Sequence, residues 1–183
     1  MRGNLAQFVL IIMAALALSA CGKKDAPQVE VAPSEEEVAA LQAVADEEAS
    51  YLEQQAAFLD QNTQSPDVIV RPSGLQIRVI KEGEGPLPSL ESTVTVNYHG
   101  TLIDGTVFDT TRDSGTPFAF TLDTVIAGWR EAMTLMRVGS IYQIFLPADL
   151  AYGSRGAGDL IRPGSTLVFE VELVAVTLPL NGE

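Results

Sequence analysis

Thiols and imidazoles are almost missing from this chain of 183 residues, which has one cysteine, Cys21, and one histidine, His99. A lone cysteine excludes any disulfide within the chain. A Ser–His or Cys–His relay, or a histidine-rich metal site, would have to be built on His99 alone. Metal-ligand clusters, a phosphate-cradling glycine loop and a basic patch are also lacking. Lys and Arg number 11 against 24 Asp and Glu, for a formal net charge of −13. Such a surface disfavours nucleic acid and serves solubility. The apolar run over residues 10–18 is too short to span a bilayer comfortably as a helix.

What is present begins with that run. Residues 1–20 carry a single charge, Arg2, and end in small residues, as a secretory signal peptide does. The segment Leu18-Ser19-Ala20-Cys21 resembles the lipobox of bacterial lipoproteins. That resemblance implies cleavage before Cys21 and acylation of its sulfur and new amino terminus, and several acyl chains hold a membrane far better than one. A plain export signal or an uncleaved anchor is the blander alternative. Gly22 stands where an aspartate would suggest inner-membrane retention, so the resemblance points to the outer membrane, facing the periplasm. Residues 21–33, with Lys23, Lys24, Pro27 and Pro33, read as a tether.

Ser34-Glu35-Glu36-Glu37 has the form of a capping box, with acidic residues suited to a helix N-terminus. Helix formers continue to about Gln61, and Asn62-Thr63-Gln64-Ser65-Pro66 ends the run. Val38, Leu41, Val44, Tyr51, Leu52, Phe58 and Leu59 recur at helical spacing, with gaps at Glu48 and Gln55. So incomplete a stripe could form a homodimer through 34–61, pack on the following domain, or give only a marginal helix.

From residue 73 the period becomes two. Leu75, Ile77 and Val79 alternate with Gln76 and Arg78, predicting a half-buried strand. Val94, Val96 and Tyr98 share a face in the next, and Asp104-Gly105 signals a hairpin. Phe118-Ala119-Phe120 is a third short strand. Ile126, Trp129, Met133 and Met136 make one stripe of a short helix that Gly139 is placed to end. Residues 141–146 are apolar on both faces, as in a central strand. Residues 147–164 form a long glycine-containing loop, and long loops in compact domains are commonly functional. Leu167, Phe169, Val171 and Leu173 alternate with Glu170 and Glu172. These patterns predict an α+β domain, an antiparallel sheet with one helix packed across it.

The chemistry concentrates in 93–120, which supplies Tyr98, Phe108, Asp109, Phe118 and Phe120 just before the helix bearing Trp129. Aromatic rings joined by one carboxylate suit a small apolar pocket better than an acid–base or nucleophilic site. Each residue also has an ordinary reading: Trp129, Tyr98 and Phe169 as core, Asp109 as a turn residue, Tyr152 as a loop anchor. Alternation turns His99 away from Tyr98, onto the opposite face.

V-N-Y-H-G-T-L-I-D-G-T-V-F-D, V-I-A-G-W, L-A-Y-G and T-L-V-F-E-V-E-L occur in this order. With them, residues 73–176 resemble an FKBP-type peptidyl-prolyl cis–trans isomerase domain. The resemblance implies a twisted antiparallel sheet wrapped around one short helix, here preceded by a helical segment and a lipoprotein signal peptide. The expected organisation is 1–20 signal, 21–33 lipidated Cys21 and tether, 34–65 acidic helix and linker, and 66–183 isomerase domain. It further implies a pocket lined by Tyr98, Phe108, Asp109, Phe118, Val125, Ile126, Trp129, Tyr152, Ile161 and Phe169. Trp129 would be the floor, Val125 and Ile126 walls with a backbone contact, and Tyr152 a hydroxyl donor to a substrate carbonyl. Asp109 would join the hydrogen bonding beside the pocket. Ser114 stands where well-studied members often have arginine, Ala157 replaces a loop histidine, and Leu150 replaces a tyrosine. No cofactor or metal is implied. The expected partners are proline-containing, unfolded or partly folded exported proteins, and the membrane through Cys21, with no nucleic acid. A weakly catalytic chaperone with the same fold, and an adaptor recruiting partners through its acidic helix, are the competing readings.

Overall fold

The computed structural model describes residues 34–178, so the expectations for 1–20, Cys21 and the tether lie outside the described residues. The chain divides into two units, Met1–Val38 and Ala39–Glu183. Ser34, in the first, opens helix α1 (Glu35–Asn62) with the expected capping box, and the helix from Ala39 onward belongs to the second. The Ser34 N–H and hydroxyl donate to Glu37 Oε2 at 2.8 and 3.1 Å, and the Glu37 N–H donates to Ser34 Oγ at 3.3 Å. The bond from the Ser34 backbone, more than that from its hydroxyl, holds the Glu37 carboxyl below its usual range.

In the second unit seven strands form one antiparallel sheet: β1 (Val68–Val70), β2 (Gln76–Lys81), β3 (Thr93–Thr101), β4 (Val107–Thr110), β5 (Phe118–Thr121), β6 (Ile141–Leu146) and β7 (Leu167–Thr177). Their order is β1-β2-β6-β7-β3-β4, and β5 shares the outer side of β3 with β4. β6, apolar but for Gln143, is paired on both sides, as its composition predicts. The Asp-Gly hairpin joins β3 to β4. Gly105 takes φ 87°, and Asp104 Oδ1 accepts the Thr106 N–H at 2.8 Å.

The core lies between one face of the sheet and the short helix α2 (Ala127–Met133), where Val94, Val96, Trp129, Met133, Ile144, Leu146, Phe169 and Val171 are buried together. Gly128 lets α2 approach β6: a Cβ there would lie 2.2 Å from Leu146 Cδ2. One expectation is corrected. The helix ends at Met133 rather than at Gly139, because tighter turns follow at once, with Leu135 N–H on Ala132 O and Met136 N–H on Met133 O. Gly139 instead serves the turn into β6, donating to Leu173 O at 2.8 Å.

The opposite face departs from simple alternation. Gln76, expected to face water, is 4% exposed because α1 covers it. Asn62 Nδ2 donates to Gln76 Oε1 at 2.7 Å, and Gln76 Nε2 donates to Leu59 O at 3.1 Å. The stripe that α1 lays on the domain runs Glu48, Tyr51, Gln55, Phe58, Leu59, Asn62. The two gaps in the apolar pattern thus belong to the contact. Gln55, 5% exposed, accepts the buried Thr166 N–H at 2.9 Å, and Phe58 meets Phe145 at 6.1 Å between ring centroids.

Candidate functional site

The alternation that buries Val94 and Val96 carries Tyr98 onto the same face of β3. Further along β3, Gly100 pairs with Phe169 of the neighbouring β7, and a Cβ at Gly100 would lie within 2.9 Å of the Phe108 and Phe169 rings. Glycine at this point lets the two rings close over β3. They meet edge to face, 5.4 Å apart at 89°. Trp129, placed by the first turn of its helix, stands nearly perpendicular to Tyr98 and Phe169 at 5.3 and 5.1 Å. Such edge-to-face pairs are favoured by the ring quadrupoles.

These rings bound a cavity of about 320 Å³. Trp129 and Phe169, 6% and 4% exposed, form its floor. Half-buried Phe108, Phe120, Val125 and Ile126 form walls, and Phe118 and Tyr152, 52% and 40% exposed, stand at the rim with Asp109 and Thr124. Nine of the ten residues expected from the motifs line this cavity. The tenth, Ile161, does not. It is buried in the core cluster and makes a two-residue bridge with Ala157. Phe120 and Thr124 were not among the ten. Phe120, which stacks on Phe118 at 5.6 Å, belongs to the aromatic group read directly from 93–120, whereas Thr124 is placed only by the turn into the helix.

One hydrogen bond joins polar groups of the lining: Tyr98 Oη donates to Asp109 Oδ2 at 2.5 Å. Burial, reinforced by this bond, pushes the Tyr98 hydroxyl well above its ordinary 10.0. Ser114 ties its own turn, donating to Thr111 O at 3.1 Å and accepting the Thr116 N–H at 3.2 Å. His99 faces away from the cavity and is hydrogen-bonded with Thr110 Oγ1 at 3.2 Å. Among the described residues no group of three or more His, Cys, Asp or Glu side chains converges on a cation site. The arrangement offers a small, largely apolar receptacle with a carboxylate–phenol pair at its lip.

The fold and receptacle together define a binding domain for a compact apolar group. The family model for FKBP-type peptidyl-prolyl cis-trans isomerases matches residues 85–174. The chain is 50% identical over 103 residues to FK506-binding protein 1 of Dictyostelium discoideum, a match covering 55% of this chain and 96% of that protein. It is 51% identical over 120 residues to outer membrane protein MIP of Legionella longbeachae, covering 66% of this chain and 52% of that one. A crystal structure of a peptidyl-prolyl cis-trans isomerase from Pseudomonas syringae superposes with a TM-score of 0.66 at 38% identity, covering 70% of this chain and 95% of that one. This chain belongs to the FKBP-type peptidyl-prolyl cis-trans isomerase family. It spans about half the length of the larger curated relatives it matches.

Proposed function

We propose that this protein accelerates rotation about X–Pro bonds, with the proline ring seated on Trp129. The observation that carries the reading is the cavity: about 320 Å³, floored and walled by aromatic rings, with one carboxylate–phenol pair at its edge. Uncatalysed rotation breaks amide conjugation at a barrier of roughly 18–20 kcal/mol. In the twisted transition state the carbonyl and nitrogen no longer share electrons, so the amide is less polar than when planar. An apolar receptacle holds that state better than the ground state, which is the condition for catalysis. No bond to the substrate forms or breaks, so no nucleophile, base or cofactor takes part.

In this reading Trp129 and Phe169 receive the ring, and Phe108 and Tyr98 close over it. Asp109 fixes the Tyr98 hydroxyl. Tyr152 donates its hydroxyl to a carbonyl flanking the proline and so orients the chain. Phe118, Val125 and Ile126 contact the neighbouring substrate residues, and Ile161, packed in the core, supports the loop beside them. Residues 66–183 act as the isomerase domain and 34–65 as the helical segment. Signal cleavage before Cys21, acylation of that residue and the 21–33 tether place the protein in the bacterial envelope, at the outer membrane facing the periplasm. There its substrates are unfolded or partly folded exported proteins. The name of the Legionella relative, an outer membrane protein, supports that location. Val38, Leu41 and Val44, each more than half exposed, support a homodimer through 34–61.

Isomerisation of an X–Pro peptide, followed by NMR exchange without a coupling protease, tests the reading. The protein should accelerate exchange, Phe108→Ala should lose about tenfold or more of that acceleration, and Tyr152→Phe a smaller part. A folded protein that gives no acceleration would overturn the isomerase reading and leave peptide binding or chaperoning by the same cavity.

A further inference from the structure

Helix α1 touches the domain at one place that leads into the cavity. Residues 162–165, at the exit of the long loop 147–164, form a turn that the helix pins from several sides. Arg162 pairs with Glu47 and Glu48, at 3.4 and 3.0 Å, and its guanidinium lies 4.2 Å from the centroid of the Tyr51 ring. Ser165 Oγ donates to Arg162 O at 2.6 Å, which commits its proton; the Tyr51 hydroxyl, 2.7 Å away, is therefore the donor to Ser165 Oγ. Leu52 covers Gly164, where a Cβ would lie 2.2 Å from Leu52 Cδ2, and Gly164 adopts φ +76°. The Gly164 N–H in turn donates to Gly153 O at 2.9 Å. Gly153 directly follows Tyr152, at the rim of the cavity.

We propose that α1 is a positioning element for the cavity, holding Tyr152 in place through the Gly164–Gly153 bond and the Arg162–Tyr51–Ser165 latch. The loop has no strand partner outside itself, since its bridge pairs Ala157 with Ile161. Leu150, Ala151, Ala157 and Ile161 anchor the loop to the core by apolar contact, and the helix adds a polar brace at residues 162–165. Arg162, Tyr51 and Leu52 do not touch the cavity and act through Tyr152. The effect on catalysis rests on the isomerase reading above; the effect on loop position does not.

The experiment compares the whole protein with Tyr51→Phe, Arg162→Glu, the pair Glu47→Arg and Glu48→Arg, and all three charge changes together. Each is read by hydrogen exchange at the Arg155 and Gly164 amides and by peptide isomerisation. Arg162→Glu should speed exchange at these amides and lower kcat/KM about two- to fivefold, the size an exposed ion pair supports. The triple charge exchange should recover most of both losses. In a Tyr152→Phe background Arg162→Glu should cost almost nothing further. Unchanged loop exchange in Arg162→Glu and Tyr51→Phe overturns the proposal, as does a rate loss equally large without the Tyr152 hydroxyl. If the unmodified protein proves inactive, the isomerase reading fails and the exchange data alone judge the brace.

Discussion

The two faces of the sheet are covered by helices in opposite ways. On the cavity face α2 brings apolar side chains against apolar strands, and the polar groups, the Tyr98–Asp109 pair, Thr124 and the Tyr152 hydroxyl, stand at the edge. On the other face α1 presents Glu48, Gln55 and Asn62 alongside Tyr51 and Phe58, and buried amides meet across the contact. Apolar packing tolerates an empty receptacle, because a cavity lined by rings leaves no polar group unpaired. An amide-bonded contact does not, because each buried donor or acceptor requires its particular partner. The cavity face is therefore suited to receive a ligand, and the α1 face to hold a position.

Substitutions that affect one face without the other sharpen this contrast. The largest effect is expected from Trp129→Ala, which empties the cavity floor and should cost about 3–5 kcal/mol in urea unfolding while abolishing isomerisation. A loss below about 1 kcal/mol would show that the ring is not part of the core. On the α1 face, Gln76→Leu strands Asn62 Nδ2 and Leu59 O and should cost about 1–3 kcal/mol. Adding Asn62→Leu should cost less than the two single changes summed, and isomerisation should change far less than with Trp129→Ala. Were Gln76→Leu to abolish activity, the separation of the two faces would fail.

Tyr98→Phe removes the bond to Asp109 and should cost about 1 kcal/mol near neutrality. Its pH dependence has a definite sign. The Tyr98 hydroxyl titrates above its ordinary 10.0 when folded, so its contribution is complete below pH 10 and falls as pH rises through the raised value. The stability gap between the unmodified protein and Tyr98→Phe should therefore narrow above pH 10, measured by thermal unfolding across pH 7–11. The smallest effect belongs to Arg112→Ala. Its pair with Glu170 lies on the exposed part of the outer face, and its loss should stay within about 0.5 kcal/mol and vanish in high salt.

Much of the cavity face was readable before any coordinates. Val94, Val96 and Tyr98 alternate in one strand, Asp104-Gly105 sets a hairpin, and Ile126, Trp129 and Met133 repeat at helical spacing. Each of these signals spans only a few residues. The motif V-N-Y-H-G-T-L-I-D-G-T-V-F-D then brought Phe108 and Asp109 to the same site. The outer face was misread in its details for the converse reason. Glu48 and Gln55 read as interruptions of an apolar stripe, and Gln76 as a solvent-facing strand position, because their partners lie far away in sequence: Gln55 meets Thr166 across 111 residues. Gly139 was likewise assigned to the nearest helix when its hydrogen bond goes to Leu173.

The amino-acid order by itself determined the strands, the hairpin and the ring positions, because side-chain alternation and turn stereochemistry act between near neighbours. Only the tertiary structure decided that Ile161 packs in the core rather than lining the cavity. It alone decided that Gln55 of α1 is buried and that the turn holding Gly164 reaches back to Gly153 beside Tyr152. Burial of a polar group depends on what the fold sets opposite it, and that partner here comes from distant segments that local pattern does not reach.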